Sequence, residues 1–438
     1  MFTLGLDIGT TTISAVVTDV QQKVIETVTR PHNAFLSTPH TWERIQDANL
    51  LLCCVLEITE QLIRQYTICR IGITGQQHGI VYLDKGGKLL SPLYTWQDQR
   101  GSLPWGDSNY TQYLSQKSGY SLAPGYGLVT HFYNLQNGLA PPDAACICTI
   151  HDYIAMVLAG RTQPLVDPSD AHSLGFYNLD TGCFDKAALK ACGIDPAILP
   201  EVQEHCIIGK TKNKIPVAIA IGDNPASFMG ATHGQQECIL LNIGTGSQIS
   251  LWTEHPLHTE AMEPRPYPLG GYLLVGAALC GGKAWALTER FFSDAVFLLT
   301  GQRINAYDGL EKIVSATIDG DNIPCISTTF DGTRQDPTKR ASITNLGADN
   351  FTPGQIALGV LHGMINELYV QYRSCPKEKI DPHASLIGSG NALRRSANLQ
   401  RIASDTFGIP LTLSESNEEA AIGAAYFASS IPRSEIAF

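Results

Sequence analysis

Hydrophobic and polar positions along this chain switch between two periods, and the switches mark its elements. Residues 4–19, LGLDIGTTTISAVVTD, place two β-branched apolar runs around Gly9-Thr10-Thr11-Thr12, which predicts strand, tight turn, strand. Residues 239–254, ILLNIGTGSQISLWTE, repeat the pattern, with Asn242 standing where Asp7 stood, 235 residues earlier. Residues 42–65 carry apolar side chains at helical spacing, and 71–74 follow as a short buried strand. Residues 98–117 are polar and contain Pro104, which predicts a loop-rich insertion. An apolar run at 217–221 ends on Gly222-Asp223. Thr352-Pro353 predicts a helix start that runs until Pro376 forbids continuation. Residues 397–407 set Leu399, Ile402, Ala403 and Phe407 on one face before a Gly408 cap. Ser416-Asn417-Glu418-Glu419 predicts a capping box opening a last helix of small residues. Strands interleaved with helices indicate an α/β protein.

Composition narrows this picture. A chain of 438 residues exceeds what one core usually supports, so two domains are expected, 1–230 and 231–438. The net charge of −11 leaves no basic face for a phosphate backbone, so no nucleic acid partner is expected. Of twelve cysteines, only Cys53-Cys54 and Cys146-x-Cys148 lie close, and neither has a second pair at zinc spacing. They read as thiols of a reducing, cytoplasmic protein. The N-terminus lacks a charged n-region, which argues against a signal peptide. Residues 270–287 are apolar but broken by glycines and Lys283, so no membrane span is expected.

A single Gly-Thr hairpin is most often only a hairpin. Two copies, one per half, present backbone N–H groups and threonine hydroxyls in arrays of the kind that hold phosphate. Neither GxxxxGK[ST] nor a GxGxxG opening a helix occurs. The pattern therefore predicts nucleotide binding in the cleft of a duplicated fold.

These residues carry a resemblance. Asp7 to Thr12 and Asn242 to Ser247 resemble the two phosphate segments of the actin-like ATPase superfamily. With GITGQQHGIV (72–81), TWQDQR (95–100), IGDNPASFMGA (221–231) and IGSGNALRRSANLQRIASDTFGIPL (387–411), the chain resembles the FGGY family of carbohydrate kinases. Within that family GQQHG, TWQDQR, AALCGGKAWA (277–286) and FDGTRQDP (330–337) are most similar to the kinases of sedoheptulose. The resemblance implies two duplicated actin-like ATPase (ribonuclease H-like) domains with a ligand cleft between them, ATP and Mg²⁺ as cofactors, and a monomer or homodimer. It implies transfer of the γ-phosphate to the terminal primary hydroxyl of a ketose, sedoheptulose first. Xylulose, ribulose and glycerol stay open as substrates, as do an actin-like ATPase and a sugar sensor without kinase activity. The TWQDQR and GDN segments weigh against the former, and Asp223 against the latter.

Roles follow residue by residue. Asp223 is the implied general base; read alone, it is an N-cap aspartate. Asp7 is the implied Mg²⁺ carboxylate, and its plainer reading is a turn-forming acid. Thr10, Thr11, Thr12, Gly244, Thr245 and Gly246 would meet the phosphates. Gly281, Gly282, Gly388, Ser389, Gly390 and Asn391 would border the nucleotide. The sugar would meet Gln76, His78, Asp98, Arg100 and Asn224 by hydrogen bonds, and Trp96 by stacking. Taken singly, His78 reads as a satisfied loop histidine, and Asp98/Arg100 as a surface ion pair. The chain also departs from the family, because Ser14 occupies a place where many members carry Lys or Arg.

Overall fold

The computed structural model describes every residue except 319, 321, 334, 335, 337, 377–382 and 433–438. Its contacts divide into two compact units. In the first, β1 (Phe2–Ile8), β2 (Thr12–Thr18) and β3 (Val24–Pro31) form an antiparallel meander. Helix α1 (Ala48–Gln65) leads back to β4 (Ile68–Gly75), which runs parallel to β1. Helices α2 (Ile150–Leu158) and α3 (Pro168–Leu174) precede β5 (Ile207–Lys210), β6 (Pro216–Ala218) and β7 (Ile221–Gly222). The sheet is ordered β5-β6-β4-β1-β2-β3, and β7 also pairs in parallel with β4. Helix α4 (Asp223–Thr232) follows at once. Leu4, Leu6 and Ile8 are fully buried, as are Ile71 and Ile73. Strands covered on both faces read as near-continuous apolar runs rather than alternating ones.

The second unit repeats the plan. Strands β8 (Cys238–Ile243), β9 (Ser247–Thr253) and β10 (Tyr272–Ala278) make its meander. Helices α5 (Gly282–Thr300), α6 (Tyr307–Thr317) and α7 (Pro353–Arg373) come next. Strand β11 (Ser385–Ser389) joins β8 in parallel, and α8 (Asn391–Arg395), α9 (Ala397–Phe407) and β12 (Leu411–Leu413) finish the unit. Leu241, Ile249, Leu274, Leu361, Ile365 and Leu386 meet in its core. Local signals perform well here. Thr352 accepts the Gln355 N–H at 3.3 Å at the start of α7, and Gly408 closes α9 at φ 68°.

The last helix, α10 (Glu419–Ser430), packs on the first unit, not the second. By contact, this helix and Arg265–Gly271 group with the expected first domain, 1–230, although both fall within 231–438. The first unit comprises Met1–Gly234, Arg265–Gly271 and the segment from Glu418 onward. The cause is steric. A Cβ on Gly5 or Gly72 would lie 2.0 or 1.9 Å from the Ala421 or Ala424 carbonyl oxygen, so only glycine lets this helix press so close to the sheet. Three local expectations also change. The first helix starts at Ala48, six residues after Trp42, under an Asp47 cap. The segment 98–117 is less irregular than expected, containing a 3₁₀ turn at Arg100–Ser102 and most of a helix at Tyr110–Ser118. The capping box does not form; Glu418 Oε1 instead accepts the Thr29 hydroxyl at 2.9 Å. Among the described residues no helix is long and apolar enough to cross a membrane.

Candidate active site

Three parallel strands of the first unit end side by side. Asp7 pairs in register with Thr74, and Ile221 pairs with Thr74 from the other side. The residues that leave these strands, Asp7, Gln76 and Asp223, thus gather at one edge, where α/β sheets place ligands. Asp7 is half-buried and its Oδ1 has no hydrogen-bond partner. Burial above all, then the nearby Asp223 and Glu418, pushes its carboxyl up to about 8. In the adjoining turn, the Gly9 N–H bonds the Thr12 carbonyl at 3.0 Å, while Thr11 is exposed. Gln46 Nε2 donates to the Thr10 carbonyl at 2.7 Å. Ser14 is buried beside Thr29, their hydroxyls 3.3 Å apart, so no cation issues from that position.

Asp223 is the first residue of α4, behind Gly222 as N-cap, so it does not occupy the N-cap position itself. Its carboxylate accepts the backbone N–H groups of Asn224 and Gln77. Burial raises its pKa; His151, those two N–H groups and Arg265 oppose the shift. Gln76 is 2 % exposed, donates to Gln46 Oε1 at 2.9 Å, and keeps its own Oε1 without a partner. His78 adopts φ 71°, stacks on Tyr126 at 4.6 Å and meets the Ser173 carbonyl through Nδ1 at 2.8 Å. That carbonyl can only accept, so Nδ1 is the donor. Asn224 is half-buried on the same first turn of α4.

The TWQDQR segment splits in two. Trp96 is 45 % exposed and donates from Nε1 to Thr10 Oγ1 at 3.1 Å, beside the phosphate turn. Asp98 and Arg100 are instead 0 % and 1 % exposed. Arg100 grips Asp98 through Nε at 2.7 Å and Nη2 at 3.0 Å, and reaches Asn134 at 2.6 Å and Glu43 at 3.3 Å. The rings of Tyr94, Tyr133 and Trp42 surround its guanidinium. The structure therefore places this pair in the interior, neither on the surface nor open to a sugar. It holds the loop that carries Trp96.

In the second unit a cleft of about 920 Å³ is lined by Gly244, Thr245, Gly282 and Asn391 among the expected residues. Gly246, Gly281, Gly388, Ser389 and Gly390 are not among its lining residues. Gly281 and Gly282 donate to the Thr245 and Gly244 carbonyls at 3.0 and 2.8 Å, tying the turn to the start of α5. A Cβ on Gly282 would lie 2.5 Å from the Gly244 oxygen. Gly390 turns at φ 88° against Ile243, Ser389 is buried, Gly388 packs on Leu411, and Gly246 lies against Ala278. Sequence reasoning missed Lys283, Trp285, Tyr307, Asp308, Glu311 and Arg395, which also line the cleft. The spacing of Tyr307, Asp308 and Glu311 on α6 is their only signal. Lys283 Nζ pairs with Asp331 at 2.8 Å. Arg334, Gln335 and Pro337 of the FDGTRQDP stretch lie outside the described residues.

Carboxylates gathered at parallel strand ends in one unit, and a glycine-walled cleft in a duplicate of it, suit the positioning and charge handling that phosphoryl transfer needs. Residues 2–238 match the N-terminal domain of the FGGY family of carbohydrate kinases, and residues 240–430 match its C-terminal domain. The chain belongs to that family. It is accordingly a carbohydrate kinase with an alcohol group as acceptor, binding a sugar and ATP. It is 27% identical over 472 residues to a sedoheptulokinase of Homo sapiens, covering 97% of this chain and 96% of the relative. A gluconokinase of Bacillus subtilis (strain 168) is 25% identical over 457 residues, covering 97% and 86%. The fold superposes on a crystal structure of Plasmodium falciparum glycerol kinase with ADP at TM-score 0.80 and 19% identity, covering 98% and 88%.

Proposed function

We propose that the protein phosphorylates the terminal primary hydroxyl of sedoheptulose, giving sedoheptulose 7-phosphate, with Asp223 as general base. The observation that carries the reading is the gathering of Asp7, Gln76 and Asp223 at parallel strand ends, with Trp96 bonded to Thr10 beside them. Asp223 takes the hydroxyl proton as the new O–P bond forms and the β–γ bond breaks; such a base contributes about 10²- to 10⁴-fold. Gln76 Oε1 and His78 Nε2 accept from sugar hydroxyls, Asn224 adds a planar polar group, and the exposed Trp96 face covers C–H surface. The nucleotide sits on the second unit, with its adenosine in the cleft of Gly282 and Asn391. Thr10, Thr11, Thr245 and Gly246 serve the phosphates.

Asp7 fits a Mg²⁺ ligand. Its orphaned Oδ1 sits against the phosphate turn, and no side chain from position 14 supplies a cation there. When bound, Mg²⁺ would neutralise the developing phosphate charge. Sedoheptulose as substrate is supported by the GQQHG and TWQDQR segments and by the full-length similarity to a sedoheptulokinase. Measuring ADP release with sedoheptulose, xylulose, ribulose, gluconate and glycerol tests it. The largest kcat/KM should belong to sedoheptulose, and a larger value for any other sugar would overturn this choice.

A further inference from the structure

Behind Asp223 the first unit buries a cluster for which the transfer step has no use. His151 and Asp152 on α2 and Asp170 on α3 are each 0 % exposed, and one ligand atom from each lies within 4.8 Å of the other two. His151 Nε2 and Asp170 Oδ1 approach to 2.9 Å, yet neither completes a hydrogen bond. His151 Nδ1 and Asp152 Oδ1 have no partner either, whereas the Gln77 side chain reaches the Asp170 carboxylate. Asp152 Oδ2 accepts the Thr149 hydroxyl at 2.6 Å and its N–H at 3.3 Å as the cap of α2. Native interiors leave few polar atoms unpaired, and buried charges are either paired or coordinate metals. Two lone-pair atoms close together but misaligned for a shared proton have the arrangement of ligands directed at a common third centre.

We propose that His151, Asp152 and Asp170 form a binding site for a transition dication of the Zn²⁺ or Mn²⁺ class. Ligand atoms about 2.0–2.2 Å from such an ion stand about 3.4 Å apart in a tetrahedral site, so the widest of the observed separations must close by about 1 Å as the ion enters. One imidazole nitrogen with two carboxylates suits these ions, whereas Mg²⁺ favours oxygen and retains several waters. A dication also balances two carboxylates that are otherwise buried with no cation on them. The site is separate from the nucleotide's Mg²⁺ at Asp7.

The ion would tie α2 to α3. Ser169 of α3 receives Gln77 Nε2 on its carbonyl at 3.1 Å, and its Oγ accepts the Gly222 N–H at 3.2 Å. The metal ligands therefore position the backbone from which Asp223 projects. They are positioning residues and do not touch the substrate.

The test uses full-length protein without nucleotide. After exposure to Zn²⁺ or Mn²⁺ alone and desalting, elemental analysis should find about one equivalent, and thermal unfolding should shift upward with these ions but not with Mg²⁺. His151→Gln and Asp170→Asn should lose both the equivalent and the shift. Wild-type protein that binds neither ion, or variants that bind as well as wild type, would overturn the site. Should the variants fail to fold, Co²⁺-loaded wild type decides. A spectrum of a nitrogen/oxygen site supports the proposal, and thiolate charge-transfer bands would place the metal on cysteines instead.

Discussion

The hairpins β1–β2 and β8–β9 share a pattern of residues and part at the turn. Ile8 pairs with Ile13, leaving the four residues Gly9 to Thr12 in the first loop; Ile243 pairs with Ser247, leaving the three residues Gly244 to Gly246 in the second. The last residue but one of the first strand is Asp7, an acid with an orphaned oxygen, and that of the second is Asn242, a neutral amide. Side chains hold the first turn, Gln46 on the Thr10 carbonyl and His32 on that of Gly9. Backbone N–H groups of Gly281, Gly282 and Lys283 hold the second. Duplication has kept the backbone plan and divided the chemistry. One copy carries the carboxyl groups of Asp7 and Asp223, and the other offers glycine-backed space.

The largest expected effect lies beside the charged copy. Asp223→Asn should lower kcat by about 10²- to 10⁴-fold in an ADP-release assay while sugar binding survives. Retained turnover would leave Asp223 a structural residue of α4. Asp7→Asn gives the first hairpin the residue of the second. It should lower kcat/KM for Mg-ATP by roughly 10- to 100-fold. It should also raise Tm, because a carboxyl pushed up to about 8 is replaced by a neutral group. The reciprocal Asn242→Asp should change kcat/KM less than about tenfold. Equal effects of the two swaps would erase the distinction.

Within the first unit, Trp96→Ala should raise the sugar KM by about tenfold with little loss of stability. Arg100→Lys, which gives up the fork on Asp98 and the stacking on Tyr94, should instead cost about 2 kcal/mol in denaturant unfolding. A further effect is one of pH. Asp7 and Asp167 are both pushed up to about 8, chiefly by burial, from a usual 3.8. Between those values the folded chain binds more protons than the unfolded one, so stability should fall as pH rises and level off above about 8. Tm measured in chelator across that window checks the sign, and a rising Tm would contradict it.

What was legible in the sequence was local. Apolar, β-branched runs and their glycine turns located both hairpins, and Thr352-Pro353 and Gly408 marked helix ends because caps act over three or four residues. What escaped depends on distant partners. The docking of α10 relies on Gly5 and Gly72, and its capping box yields to Thr29, 389 residues away. Asp98 and Arg100 looked like surface or sugar-facing groups because their ring cage assembles from Trp42, Tyr94 and Tyr133 on separate segments. His151 and Asp152 are neighbours in the sequence, but Asp170 reaches them only through the packing of a second helix. The cleft residues of α6 carry no motif at all.

The division of labour between the units is tested most directly by binding. Calorimetric titration of sedoheptulose and of a non-hydrolysable ATP analogue would be made on wild type, Trp96→Ala and Gly282→Ala. The last adds a Cβ that would lie 2.5 Å from the Gly244 oxygen, at the wall of the second-unit cleft. Trp96→Ala should weaken the sugar by about tenfold and the nucleotide by less than about threefold, and Gly282→Ala should do the reverse. Variants that weaken both ligands alike would contradict the assignment of sugar to the first unit and nucleotide to the second.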